Sequence, residues 1–222
     1  MKEKGPFITN VENFNDQIKA EEILNAVSHG IGALLAIAGT AVMIVHSVRT
    51  GKAIDVVSAS IYCFGLIFLY LMSTLYHSMQ HRGAKKIFQK FDHCSIFFLI
   101  VGSYAPICLS LLGGKLGWTI FGVNLFFAVL GIAANAVSVA RWSSLSLVLY
   151  LLMGWSIMAG IKPLLQLVSF HGFLLLLFGG LFYSIGVIFY TIRKPRFMHG
   201  VWHLFVLCGS ICHYFFILFY IL

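Results

Sequence analysis

Apolar residues gather into seven stretches, about 23–48, 55–77, 93–112, 116–138, 143–161, 170–192 and 198–222, each all but free of charge. Each is close to the roughly 20 residues that a helix needs to cross a bilayer. The pattern predicts an all-α fold, a seven-transmembrane helix bundle. The fourth and fifth stretches are the hardest to separate, because Arg141 is the one charge between residues 116 and 161; the expected break is Ala140–Ser144. Residues 1–22 read as a short cytoplasmic tail and 23–222 as a single seven-helix membrane domain. The longest polar connection, 78–92, suits either a short helix lying at the headgroup layer or a plain solvated loop. Gly102-Ser103-Tyr104-Ala105-Pro106 predicts a kink in the third span.

Composition agrees with this reading. Of 222 residues, 60% are apolar and 10% charged, which excludes a soluble globular domain. The formal charge of +8 is spread through short connections, so nucleic-acid binding is the weaker explanation of it and no nucleic-acid partner is expected. Sorting the 15 Lys and Arg by helix end gives 11 on the side of the N-terminus and 4 (Arg49, Lys52, Lys115, Lys162) on the other. By the positive-inside rule the N-terminus is cytoplasmic and the C-terminus outside, in a multi-pass protein of the inner (plasma) membrane. The first 20 residues hold no apolar core of a cleavable signal, so the first span is expected to start insertion itself. The five cysteines fall inside apolar stretches and read as buried thiols.

Nine histidines in so apolar a chain call for an explanation, because ionisable groups in spans are costly and face the bundle interior. The second span ends in Ser73-Thr-Leu-Tyr-His77, the third begins at Phe91-Asp92-His93, and the seventh begins at His199-Gly-Val-Trp-His203. Helix parity alone puts these at one membrane face. His199 and His203 are four residues apart, the spacing at which two imidazoles on one helix face grip one ion. His77 then supplies a third ligand if its helix comes near, leaving the open fourth position of a catalytic zinc site. Asp92 is placed to take a proton from an attacking water, and Ser73, one turn before His77, to hold a ligand or donate to a developing oxyanion. His46, His171 and His213 read as hydrogen-bonded interior residues, His81 and His93 as solvated or supporting ones, and His29 as a gate, a substrate contact or, by default, a residue of the helix start. Asn124 and Asn135 are expected to bond between helices, several glycines to allow close helix contacts, and Trp142 and Trp202 to sit in interfacial belts.

Four motifs, EExxNxxSHxxG at Glu21 to Gly32, SxxxH at Ser73 to His77, FDHxxIF at Phe91 to Phe97 and HxxxH at His199 to His203, together resemble the bacterial hemolysin III family. That family lies within the progestin and adipoQ receptor group, and the resemblance covers nearly the whole chain. It implies seven helices, a cytoplasmic N-terminus and zinc near the cytoplasmic face. In the related adiponectin receptors, histidines of these motifs hold zinc, an Asp contacts the zinc-bound water and a Ser lies nearby. The matching positions here are His77, His199, His203, Asp92 and Ser73. The resemblance also implies ceramidase-like amide hydrolysis, which for this chain narrows only to a lipid amide or ester. A membrane lipid is thus the expected substrate or ligand. Two other functions stay open: a pore-forming cytolysin acting as a homo-oligomer, and a non-catalytic membrane-homeostasis or sensor protein with structural zinc.

Overall fold

The computed structural model describes residues 6–192 and 196–222, and for 6–18 the backbone alone. The tail expected over 1–22 therefore lies partly outside the described residues, as do Arg193 and Lys194 of the charge count. Among the described residues there is no strand. The elements are α1 (Pro6–Thr50), α2 (Ala53–Ser78), α3 (Arg82–Ala105), α4 (Gly114–Val137), α5 (Val139–Gly154), a short α6 (Ile161–Leu167), α7 (Phe170–Thr191) and α8 (Met198–Tyr220). A π-helical turn, Pro106–Leu112, extends α3, and a 3₁₀ turn, Ser156–Gly160, joins α5 to α6. They form seven apolar spans, the third being Arg82–Leu112 and the fifth Val139–Leu167.

The interior is inverted relative to a soluble protein. Leu34, Val137 and Phe170 are 70%, 73% and 70% exposed, whereas His29, Asn124, Asn135 and His203 are at most 1% exposed. Hydrocarbon outside solvates apolar side chains and cannot solvate an imidazole or amide, so polar groups turn inward where partners exist. Asn124 accordingly donates to Ser156 Oγ at 2.7 Å, and Asn135 accepts from Ser146 at 2.8 Å, as expected of interhelical partners. The helices pack in chain order from α1 to α5, with α7 on α8 and α8 back on α1.

Several boundaries depart from the sequence reading. The connection expected over 78–92 shrinks to residues 79–81, because His81 accepts from Ala84 N at 3.3 Å and caps a helix that then runs unbroken into the span. Asp92 thus lies well inside α3. The fourth and fifth spans part at Ser138, before the expected segment, where an extended backbone (φ −158°) and a side chain accepting from Arg141 N start α5. The predicted kink at Pro106 is the π-helical turn. It ends at Gly113 and Gly114, whose φ values of 57° and 54° suit residues without a Cβ. Cys63, Cys94 and Cys108 are buried as expected, but Cys208 is exposed on α8.

Candidate metal centre

Two helices deliver the three histidines. His77 ends α2, while His199 and His203 occupy the first two turns of α8; both helices pack against α1. Phe197, just before α8, adopts a left-handed backbone (φ 67°) that turns the chain into the helix. One nitrogen from each of the three rings lies within 4.8 Å of the other two. Ring centroids are 5.2 Å apart for His77–His199, 5.0 Å for His77–His203 and 4.7 Å for His199–His203.

The hydrogen bonds decide which nitrogen each ring offers. His77 Nδ1 lies 3.1 Å from Glu22 Oε2, and that carboxylate also receives Lys85 Nζ at 2.7 Å. His203 Nδ1 lies 3.3 Å from the Asn25 carbonyl, with Ser28 Oγ at 3.4 Å. A carboxylate and a carbonyl can only accept, so in both rings Nδ1 carries the hydrogen and Nε2 presents its lone pair. The Nε2 atoms of His77, His199 and His203 are all buried and lack a hydrogen-bond partner. Three converging orphan lone pairs, two of them backed by acceptors on the far side of the ring, are what a zinc-type ion requires and what a packed polar core avoids. The residues present therefore fit a divalent metal.

Asp92 is buried and close to Ser73, His77 and His93; its Oδ2 is 3.6 Å from His93 Nδ1. Ser73 is buried with its hydroxyl unpartnered. Two spaces meet here. A polar vestibule of about 600 Å³ is bordered by Glu21, Glu22, Tyr76, His77, Gln89 and His199. A narrower, mainly apolar cavity of about 130 Å³ starts at Asp92 and His199 and runs between α3, α5, α7 and α8 to Tyr183 and His213.

The structure differs from the sequence reading at further residues: His171, expected in the interior, is exposed in the first turn of α7, where its ring meets Phe170. His29 lies far inside α1, buried and stacked on His203 with centroids 3.6 Å apart and planes at 12°, so it is no helix-start residue. Trp202 forms a wall of the cavity beside His199. Glu22, Asn25 and Ser28, which the first motif contains but to which the sequence reading gave no role, are the support of the two rings. Their signal was a polar stripe at helical spacing, 22-25-28-29, on an otherwise apolar span.

A family model described as "Haemolysin-III related" matches residues 17–214. The chain is 44% identical to "Hemolysin-3" of Bacillus cereus over 206 residues, which cover 93% of this chain and 94% of that protein. It is 43% identical to the "Hemolysin-3 homolog" of Bacillus subtilis (strain 168) over 200 residues, 90% and 94% of the two chains. It is also 29% identical to the "Monocyte to macrophage differentiation factor" of Homo sapiens over 208 residues, 88% and 82% of the two chains.

Proposed function

The chain belongs to the haemolysin-III-related family, and from that membership and the histidine triad we propose that it is a zinc-dependent membrane hydrolase of a lipid amide or ester. The observation that carries the reading is the set of three unpartnered Nε2 atoms next to a buried carboxylate, where a polar vestibule meets an apolar cavity. A substrate headgroup has room in the vestibule and a single hydrocarbon chain in the cavity. That arrangement holds the scissile carbonyl at the level of His199 and Asp92. Zinc, when bound, supplies Lewis acidity that polarises the carbonyl and lowers the pKa of water to about 7.

The chain's own groups do the rest. His77, His199 and His203 hold the ion, with Glu22 and the Asn25 carbonyl fixing two of the rings. Asp92 takes the proton of the attacking water and returns it to the leaving nitrogen or oxygen. Ser73 Oγ, beside Asp92, donates a hydrogen bond to the oxyanion as the carbonyl carbon becomes tetrahedral. The apolar walls keep bulk water out of the reaction.

The test combines metal content and turnover. Detergent-purified wild type is expected to hold one zinc per chain by elemental analysis, and His77→Ala, His199→Ala and His203→Ala to lose it. Asp92→Ala is expected to keep the zinc and to lose hydrolysis across a panel of lipid amides and esters. A wild type free of metal after chelator-free purification sinks the proposal. So does full turnover by Asp92→Ala. The printed names of the Bacillus relatives favour lysis as the competing reading; it predicts vesicle leakage that Asp92→Ala leaves intact.

A further inference from the structure

The apolar cavity does not end in hydrocarbon. Its far end is bordered by Tyr183 of α7 and His213 of α8. His213 follows His203 by ten residues on one helix, about 15 Å along its axis. The ring has a prepared seat. A Cβ at residue 179 would come 2.1 Å from His213 Cδ2, so only glycine admits the imidazole there. His213 Nε2 lies 3.2 Å from the Leu176 carbonyl. Because a carbonyl only accepts, Nε2 carries the hydrogen, and in these uncharged surroundings Nδ1 is left as a bare acceptor. That Nδ1 is buried and has no partner.

The other polar groups around this end are paired. Tyr183 and Tyr70 hydroxyls share Ser210 Oγ at 2.9 and 2.7 Å, Trp155 Nε1 donates to Ser184 Oγ at 3.0 Å, and Tyr104 donates to the Gly154 carbonyl at 2.6 Å. His213, a residue of the cavity wall, thus carries a buried acceptor without a partner beside a slot that otherwise suits hydrocarbon. We infer that the far end of the cavity recognises a hydroxyl carried on the hydrocarbon chain of the bound lipid, received by His213 Nδ1. The inference rests on the lipid reading of the cavity given above and narrows its substrate to a hydroxylated chain. Polarity sets the selectivity: a hydroxyl can donate to Nδ1, whereas a keto oxygen at the same place meets a second acceptor and a plain methylene leaves the lone pair bare.

A fatty acid is the product class of the proposed ester or amide cleavage, so it serves as the probe. Purified protein in lipid nanodiscs is loaded with a fluorescent fatty acid. It is then titrated with octadecanoic acid, 12-hydroxyoctadecanoic acid, whose hydroxyl stands at a comparable distance from its carboxyl, and 12-oxooctadecanoic acid. The hydroxy acid is expected to displace the probe about tenfold more tightly than either of the others. His213→Phe is expected to abolish that preference. Equal displacement by all three acids in the wild type overturns the inference and leaves the hydrolase reading standing. Preference that survives in His213→Phe overturns the assignment to His213. Failure of every chain to bind removes the lipid reading itself and the inference with it. Should His213→Phe not fold, the wild-type comparison decides alone.

Discussion

Glu22 illustrates how a single side chain can set up a candidate metal site from outside its ring of histidines. Its carboxylate lies between His77 Nδ1 and Lys85 Nζ, so it fixes the imidazole's tautomer and is itself held in place by the lysine. Glu22→Gln keeps the size but weakens the acceptor; it is expected to lower zinc affinity by about 10–100-fold, read by competition with a chromogenic chelator, with the fold intact. Unchanged affinity would mean that His77 is oriented by packing alone. The clustering of the three histidines was legible in the sequence, because a four-residue spacing on a helix fixes a shared face and parity fixes a shared end. Glu22 and His29 were not. Their roles depend on how α1 rotates against α2 and α8, which no spacing within one helix encodes. Asp92 was legible as a carboxylate at the right membrane face, although its depth within α3 depended on a cap at His81 that spacing did not reveal.

At the scale of helices, the contact between α2 and α3 sets the relation of Ser73 and His77 to Asp92. The two backbones touch at Gly65 and Gly102: a Cβ on Gly65 would lie 2.7 Å from the Phe98 carbonyl oxygen, and one on Gly102 would lie 3.1 Å from that of Ile61. Backbone cannot swing aside as a flexible side chain can. Gly65→Ala is therefore expected to cost about 1–3 kcal/mol, seen as a lowered midpoint of thermal unfolding in detergent, and to weaken zinc binding as the helices separate. Gly122 on α4 has nothing within 4 Å of its would-be Cβ, so Gly122→Ala is expected to be neutral or stabilising in the same assay. Equal losses in both variants would show a general intolerance of alanine rather than a close approach. The seven spans were readable because hydrocarbon demands long uncharged helices. Their ends were less so, since the breaks at Ser138 and His81 come from side-chain caps, and Arg82, Lys85, Lys86 and Lys90 can extend a helix beyond its apolar part.

For the whole molecule, the decisive property is that ligands, vestibule and most of the positive charge share one end of the bundle. Among the described residues, Lys19, Arg82, Lys85, Lys86, Lys90, Arg141 and Arg196 lie toward the histidine end, against Arg49, Lys52, Lys115 and Lys162 at the other. By the positive-inside rule this excess predicts a cytoplasmic histidine end, and the proposed enzyme would then draw its metal and its water from inside the cell. Connections at the two ends offer a direct check, because the native cysteines all lie within helices. Gln80, exposed between α2 and α3, and Lys115, exposed at the start of α4, stand at opposite ends. In intact cells a membrane-impermeant maleimide is expected to label Lys115→Cys at once and Gln80→Cys only after permeabilisation. The reverse pattern would place the histidines on the outer face, and the proposed enzyme would then draw its zinc and its water from outside the cell. The triad would keep its geometry in either case, since helix parity and not orientation brings the three rings together.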